Sequence, residues 1–267
     1  MAKKNTIQVE KVNTHIVNWL KNYATNANVK GFVVGISGGI DSAVTSTLCA
    51  QTGLEVLCVE MPIHQHQSHV NRGREHIKQL QDRFSNVSSV EADLTDSFET
   101  LKKTLPTVNI EEHTLNLTLA NTRARLRMTT LYYFAGIRGL LVAGTGNKVE
   151  DFGVGFYTKY GDGGVDLSPI ADLMKSDVFA LGAYLKVPQS ILEASPSDGL
   201  FGDEKTDEQQ LGASYDELEW AMLIDEEKSS QENFTEREKI VYQIYKRLNK
   251  INQHKMISIP VCQIDVI

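Results

Sequence analysis

A chain of 267 residues is long enough to bury a full hydrophobic core as a single α/β domain over residues 1–267. Its 34 acidic residues outnumber its 27 basic ones, and the net charge of −7 argues against a broad nucleic-acid surface. The three cysteines lack C-x-x-C spacing, and neither a signal-peptide core nor a long uncharged apolar run occurs. We therefore expect a soluble cytoplasmic protein with reduced thiols and with neither nucleic acid nor a membrane as partner.

Strands and helices alternate along the first half of the chain. Apolar residues at helical spacing predict an opening helix over residues 6–24. Apolar runs at 32–36, 54–62, 87–92 and 140–145 predict strands, and the segments 41–51, 66–83, 94–104 and 113–138 predict helices. This alternation indicates a Rossmann-like, open, doubly wound parallel sheet flanked by helices. Because ligands of such sheets bind beyond the carboxyl ends of the strands, we expect the first and fourth strands to meet at one pocket.

The last third of the chain is predicted to be a helical C-terminal region. A Ser-Pro pair at 168–169 predicts the start of a helix that runs to about residue 185. The segments 214–217 and 235–238 both match the capping box that opens a helix. The polar, glycine-bearing segment 195–207 has no apolar period, and we expect it to be mobile and to act as a lid.

The segment that follows the first strand is typical of a loop that holds phosphate groups. Residues 36–43 read Ile-Ser-Gly-Gly-Ile-Asp-Ser-Ala. The two glycines allow a tight turn, and the next helix points the positive end of its dipole at the same place. Ser37 and Ser42 add hydroxyl donors, and Asp41 supplies a carboxylate suited to Mg²⁺. No Gly-Lys-Ser/Thr follows, so this is not the ordinary P-loop.

The motif Ser-Gly-Gly-x-Asp-Ser at 37–42 resembles the pyrophosphate-binding loop of the ATP pyrophosphatase family. That resemblance implies cleavage of ATP between the α and β phosphates, with an adenylated acid as intermediate. It does not identify the acid, because synthetases and tRNA-modifying enzymes share the loop. A tRNA-thiolating or lysidine-forming enzyme would need paired cysteines or a basic RNA surface, and neither is present in the sequence.

The segment 144–175 is unusually rich in Gly, Asp and Lys for a loop, and loops of this length are often functional. Glu150 or Asp151 is suited to join Asp41 in holding a metal ion. Lys159 and Asp166 are suited to the opposite ends of a charged, hydroxyl-rich substrate. This density of charge also argues against a non-catalytic nucleotide sensor.

Three further motifs make the resemblance more specific. Residues 156–166 read Phe-Tyr-Thr-Lys-Tyr-Gly-Asp-Gly-Gly-Val-Asp, residues 121–128 contain the pattern N-x-x-A-R-x-R-M, and the pair His254-Lys255 stands near the end of the chain. Together they resemble the signature, the helix and the terminal pair of the NAD synthetase family. The match runs from the phosphate loop to about residue 255. It implies that the nicotinate carboxylate of deamido-NAD is adenylated by ATP and that ammonia then displaces AMP to give NAD.

The resemblance also implies roles for individual residues, with Mg²⁺ as cofactor and ATP as co-substrate. Asp41, Asp162 and Lys175 would be catalytic, and Asp41 and Glu150 would hold Mg²⁺. Asp162 falls near the ammonia site and is the candidate acceptor of a proton from ammonium, with Asp166 as competitor. Arg125, Lys159, Asp166, His254 and Lys255 would bind deamido-NAD. The residues that would contact ATP and pyrophosphate are Gly35, Ile36, Ser37, Gly38, Gly39, Ile40, Asp41, Ser42, Thr145, Lys175 and Ser197. A homodimer with substrate sites at the subunit interface is implied as well.

This chain departs from the family pattern in three places. One residue is extra between Thr145 and Lys159, so alignment leaves Glu150 and Asp151 as rival metal ligands, of which Glu150 is favoured. Ser197 stands where many relatives have threonine, and the segment 60–65 differs from the commoner Leu-Pro form, which leaves adenine contacts there undecided.

Two further expectations concern arginines and the nitrogen donor. Arg123, Arg125 and Arg127 alternate along the predicted helix, so we expect only one of them to face the pocket. No cysteine stands in a recognisable nucleophile setting and no glutaminase module is visible, so free ammonia is the expected nitrogen donor.

Overall fold

The computed structural model describes residues 7–106, 109–194 and 207–264. At the centre of the fold lies a four-stranded parallel sheet. Its strands are β1 (Gly31–Gly35), β2 (Glu55–Glu60), β3 (Val87–Glu91) and β4 (Leu141–Val142). They lie in the order β3-β2-β1-β4, and each neighbouring pair is parallel. The chain moves from β1 toward β3 in one direction and returns to place β4 on the other side of β1. This reversal makes the carboxyl ends of β1 and β4 the topological switch point, where doubly wound sheets bind ligands.

Helices connect the strands, and several more follow β4. Between and before the strands lie α1 (Val9–Asn26), α2 (Ile40–Gln51), α3 (Gln67–Arg83), α4 (Thr95–Thr104) and α5 (Glu112–Arg138). After β4 come a π-helix (Val149–Val154), α6 (Lys175–Tyr184), α7 (Gln189–Leu192), α8 (Asp207–Leu211), α9 (Tyr215–Glu227) and α10 (Glu236–Met256). Among these helices, none combines the length and the apolar character that a membrane span requires.

The sheet is buried on both faces, as the apolar strands predict. Phe32 and Val34 point into the cluster formed with α1, α2 and α6, whereas Val33 points into the opposite cluster, which includes Ala135 of α5. This division follows from the two-residue period of a strand. A third apolar cluster joins the π-helix to α9 and α10. The C-terminal helices therefore have a core of their own, next to the end of β4.

The predicted helix over 168–185 is wrong in its first half. The helix begins at Lys175, with Met174 as the N-cap residue, and residues 168–174 form turns. These turns bury Ile170, and they leave the carbonyl of Leu173 to accept a hydrogen bond from the backbone of Lys148. Tertiary packing has thus overridden the local Ser-Pro signal.

Two other sequence expectations concern β4 and the predicted lid. The predicted strand over 140–145 pairs as β4 only at Leu141–Val142, because Gly144 donates its N–H to the carbonyl of Leu167 instead of continuing the ladder. The expected lid over 195–207 lies almost entirely outside the described residues, as does Ser197.

Both predicted capping boxes are present. The hydroxyl of Ser214 accepts a hydrogen bond from the backbone of Glu217, whose carboxylate in turn accepts from the backbone of Ser214. Glu217 also forms an ion pair with Arg237 of α10 at 2.6 Å, so this cap ties the two C-terminal helices together.

Replacing Ser214 with alanine is expected to lower the free energy of unfolding by about 1 kcal/mol, because one reciprocal hydrogen bond of the α9 cap is lost. Urea unfolding measures the change. The exposed turn residue Ser85, replaced in the same way, serves as the control and should change stability by less than about 0.5 kcal/mol. Equal effects of the two substitutions would contradict the role given to the cap.

Candidate functional site

A cavity of about 290 Å³ opens at the switch point of the sheet. Its walls come from the phosphate loop after β1, from Glu60–Pro62 after β2, from residues 143–146 after β4, and from α3, α5 and α6. All eight residues from Gly35 to Ser42 line it, and so does Thr145. The segments that the sequence singled out after the first and fourth strands thus share one pocket.

The phosphate loop is held in a fixed shape by its own hydroxyl groups. The hydroxyl oxygens of Ser37 and Ser42 lie 3.1 Å apart, and the Ser42 hydroxyl also donates to the carbonyl of Gly39 at 3.0 Å. The backbone N–H of Gly39 donates to the Ser37 hydroxyl at 3.2 Å. Gly39 is the N-cap residue of α2 and makes no side-chain cap, so the first turn of this helix offers its N–H groups to the cavity side.

Gly38 is a position that only glycine fits. Its φ of +80° is strained for any residue with a side chain. A Cβ atom there would also lie 2.3 Å from the carbonyl oxygen of His69 at the start of α3. The loop and α3 are therefore in direct backbone contact.

A buried ammonium group lies at the deep end of the cavity. The Nζ atom of Lys175 donates to Oδ2 of Asp41 at 2.6 Å and to Oε1 of Glu150 at 2.9 Å, and the lysine side chain is only 4% exposed. The amide of Asn147 donates to the other oxygen of Asp41 at 3.2 Å. The hydroxyl of Tyr215 donates to Glu150 at 2.6 Å, and its ring lies under the ammonium at 4.8 Å.

Burial and the neighbouring charges act in opposite directions on the pKa values of this cluster. Burial alone would lower the pKa of Lys175, but the two carboxylates outweigh it and raise that pKa well above its usual range. Burial also opposes ionisation of Glu150, yet Lys175, Tyr215 and Asn147 together lower its pKa. For Asp41, burial prevails over Lys175 and raises the pKa. With all three groups ionised, the cluster carries one net negative charge, which favours a cationic ligand.

A π-helix, Val149–Val154, carries both rival carboxylates. A π-helix has a wider turn than an α-helix and is frequent at functional sites. Glu150 faces Asp41 across Lys175, whereas Asp151 lines a different part of the cavity wall, against Gly146. Burial, followed by the neighbouring charges of Glu150, Asp162 and Asp41, raises the pKa of Asp151 to about 8.

Asp162 belongs to the same cavity but reaches it from the loop after residue 155. One of its carboxylate oxygens accepts a hydrogen bond from the backbone of Thr158 at 3.0 Å. The side chain is open toward the cavity, while the protein atoms crowded around it desolvate it and raise its pKa despite the Thr158 hydrogen bond. Its carboxylate thus combines access to the cavity with a raised pKa.

The candidate dinucleotide-binding residues lie outside the cavity wall. Four of them, Arg125, Lys159, His254 and Lys255, form what we call the basic cluster. The ammonium of Lys159 donates to the carbonyl of His254, and Arg125 donates to the carbonyl of Lys159 at 3.3 Å. Lys255 donates to the carbonyls of Gly155 and Tyr157, each at 2.8 Å. The basic cluster therefore ties the end of α10 to the loop that carries Asp162.

Asp166, the fifth candidate, lies apart from the basic cluster. Its carboxylate accepts hydrogen bonds from the hydroxyl of Tyr132 at 3.0 Å and from the backbone N–H of Val142 at 2.8 Å. In this arrangement it secures the edge of β4.

Of the three alternating arginines, only Arg127 lines the cavity, as the alternation predicts. Its guanidinium donates to the carbonyl of Met61 and to the side chain of Gln65. Arg125 belongs to the basic cluster, and Arg123 stacks on the ring of Phe98.

Sequence reasoning missed several residues of the site. Tyr215 and Asp207 reach the buried cluster from the C-terminal helices. Tyr215 lies within the predicted capping box and Asp207 at the end of the predicted lid, but neither pattern indicates the cavity. Asn147 could have been found, since it lies within the segment 144–175 that the sequence had already singled out. Arg72 gave no signal at all, because it lies on an ordinary polar helix face.

A phosphate loop at the switch point, with carboxylates and a buried lysine beside it, is typical of an α/β enzyme that acts on a nucleotide through its phosphates. The model of the NAD synthase family matches residues 12–258. The NH(3)-dependent NAD(+) synthetase of Carboxydothermus hydrogenoformans is 36% identical over 90% of this chain and 92% of its own. That of Mycoplasmopsis pulmonis is 40% identical over 81% and 80%.

A solved structure extends the likeness to the fold. The NMN synthetase from Francisella tularensis superposes with a TM-score of 0.81 at 28% identity, over 98% of this chain and 100% of that chain. The chain belongs to the NAD synthase family. The predicted family and the predicted α/β fold are therefore both confirmed.

We expect Asp151→Asn to raise the free energy of unfolding, relative to the parent protein, more at pH 8.5 than at pH 5. The gain at pH 8.5 should exceed the gain at pH 5 by about 1–3 kcal/mol. The carboxyl has a raised pKa in the folded protein, so its contribution to stability is present at low pH and is lost as the pH rises through about 8. Asparagine has no such loss. Urea unfolding at the two pH values measures the difference.

The fully exposed Asp172, replaced with asparagine, is the control and should show no such dependence on pH. A stability difference between Asp151→Asn and the parent protein that is the same at both pH values would contradict the buried, proton-binding state of Asp151.

Proposed function

We propose that this protein is an ammonia-dependent NAD synthetase, a ligase that forms a C–N bond at the expense of ATP. It adenylates the nicotinate carboxylate of deamido-NAD with release of pyrophosphate, and ammonia then displaces AMP to give NAD. The family match and the NH(3)-dependent relatives support this reaction. The observation that carries it is the buried Asp41–Lys175–Glu150 cluster, which lies in one cavity with the phosphate loop.

In the adenylation step, a carboxylate oxygen of the substrate attacks the α-phosphorus and pyrophosphate leaves. The backbone N–H groups of Ser37 to Ser42 bind the leaving group, and Lys175 neutralises charge as it develops. Thr145, which lines the cavity, would contact the nucleotide, and the same role is proposed for Ser197, which lies outside the described residues. Support comes from the fixed hydroxyl network of the loop and from the uncapped first turn of α2.

Asp41 and Glu150 would hold Mg²⁺, which supplies charge neutralisation at the phosphates. Their carboxylates approach one ammonium group at 2.6 and 2.9 Å, so they lie close enough to share one cation, and carboxylate oxygens are the ligands that Mg²⁺ prefers. Within the described ranges no group of three His, Cys, Asp or Glu residues is arranged as a metal site. Two carboxylates suffice, because Mg²⁺ is usually completed by substrate phosphates and water.

In the amidation step, ammonium must lose a proton before nitrogen attacks the adenylated carbonyl. Asp162 is the proposed acceptor, because it faces the cavity and has a raised pKa, and a base is most effective when its pKa approaches the working pH.

The basic cluster and Asp166 are proposed to bind deamido-NAD at the interface of a homodimer. These residues are positioned outside the cavity wall, so a substrate that spans both regions would extend to the surface. The helix α5, which carries Arg125, also exposes large apolar side chains along its length, and this supports an interface on that helix; they are those of Leu115, Leu117, Tyr133 and Ile137. We also propose that the chain is one domain and works in the cytoplasm, where the buried free thiols of Cys49 and Cys58 stay reduced.

A second candidate is amidation of the mononucleotide in place of the dinucleotide. The likeness to the NMN synthetase of Francisella tularensis, at a TM-score of 0.81, favours it. Both substrates carry the same nicotinate carboxylate, so the cavity chemistry would be the same. They differ in the adenylate half, for which the basic cluster is the proposed binding region.

Incubation with ATP, Mg²⁺, ammonium and deamido-NAD should yield NAD and AMP in equal amounts, as measured by chromatography. Nicotinate mononucleotide in place of deamido-NAD tests the second candidate.

Asp41→Asn should reduce pyrophosphate release by about 100-fold or more, because it removes a charge that faces both Lys175 and the phosphates. Asp172→Asn is the matched control. Pyrophosphate release that does not depend on either pyridine nucleotide would overturn the proposal.

Asp162→Asn is expected to reduce kcat/KM for ammonium by about 100-fold, because the amide cannot accept a proton. Pyrophosphate release in a single turnover, which reports the earlier step, should change far less. Asp166→Asn serves as the comparison, since that residue is the competing acceptor. Unchanged ammonium kinetics in Asp162→Asn, or a larger loss in Asp166→Asn, would refute the role of Asp162.

A further inference from the structure

An arginine that has no part in the reaction as described above lies against the phosphate loop. Arg72 is on the first half of α3, and its Nε atom donates a hydrogen bond to the carbonyl of Gly38 at 3.2 Å. It is half-buried and lines the cavity together with the loop. No sequence motif pointed to it.

Close packing of α3 on the loop determines where this side chain lies. Gly73, the next residue on α3, is buried, and a Cβ atom there would lie 3.5 Å from the side chain of Ile36 and 3.7 Å from the backbone nitrogen of Gly38. Gly38 in turn touches the carbonyl of His69. Two glycines thus bring the helix and the loop into contact, and Arg72 emerges beside that contact.

Arg72 and Arg74, both on α3, have different partners. Arg74 pairs with Glu91 at 2.8 Å and with Glu60 at 3.6 Å. Within residues 7–106, 109–194 and 207–264, Arg72 forms no ion pair, and burial lowers its pKa with no carboxylate to raise it. A half-buried cation that is paired only with a backbone carbonyl keeps most of its N–H donors for an anion.

The charge at the deep end of the cavity shows where a further cation is needed. Lys175 is already shared by Asp41 and Glu150, so its charge is more than balanced before a nucleotide binds. A triphosphate adds several negative charges on the loop. Arg72 meets the loop at Gly38, and a planar guanidinium suits phosphate oxygens in a bidentate geometry.

We propose that Arg72 binds the phosphate chain of ATP from the α3 side of the loop and holds the pyrophosphate as it leaves. This inference rests on the proposed function for its substrate. The alternative is that Arg72 only fastens the loop to α3 through the carbonyl of Gly38. In that case its loss would disturb every ligand of the cavity alike.

Calorimetric titration of the full-length protein with inorganic pyrophosphate and MgCl2, and separately with AMP, distinguishes the two roles. Arg72→Gln should weaken pyrophosphate binding by about tenfold or more and leave AMP binding unchanged. Arg72→Lys, which keeps the charge but not the planar fork, should fall between the parent protein and Arg72→Gln. Lys78→Gln, an exposed change on the same helix, is the control and should bind both ligands normally.

Unchanged pyrophosphate affinity in Arg72→Gln would overturn the inference, and so would an equal loss of both ligands together with a lower melting temperature. Failure of the parent protein to bind pyrophosphate would do the same. Should Arg72→Gln not fold, Arg72→Lys decides by the same comparison. Synthesis of NAD by the parent protein is assayed separately, so a failure of the proposed function is distinguished from a failure of this inference.

Discussion

The site depends on one buried ammonium group that two carboxylates share. Lys175 lies 134 residues from Asp41 and 25 from Glu150 along the chain, and it contacts both within 2.9 Å. Such a group is stable in the interior only while its partners remain, because an unpaired buried charge costs several kcal/mol. The three chain segments that follow β1, follow β4 and open α6 must therefore come together for the fold to complete. The same requirement assembles the deep end of the cavity.

Sheet topology explains why these segments can meet. The chain adds β2 and β3 on one side of β1 and then returns to add β4 on the other side. Because β1 and β4 are parallel neighbours, the loops that follow them diverge around a crevice. On one side α3 packs on the phosphate loop through two glycines, and on the other the C-terminal helices supply Tyr215. The wall of the cavity is thus built from both halves of the chain.

Local patterns were enough to predict the four strands, the capping boxes and the glycine turn between β1 and α2, because each depends on residues close in sequence. They were not enough where distant contacts decide. Ser168–Pro169 is a good helix start by itself, but burial of Ile170 makes turns of that segment. Similarly, nothing near Tyr215 or Arg72 in the sequence indicates the cavity that each approaches. The basic cluster was recognised by motif, yet its position outside the cavity wall depends on where α10 ends.

The π-helix sets the angular position of Glu150 relative to the segment that follows it. An α-helix advances by about 100° per residue, so a change of one residue in such a helix would turn the following segment away from the cavity. A wide turn adjusts to such a change with less rotation of its flanks, and Val149–Val154 is the turn from which Glu150 contacts Lys175 at 2.9 Å. A difference of one residue in length is therefore best tolerated in this turn, where both flanking segments keep their register.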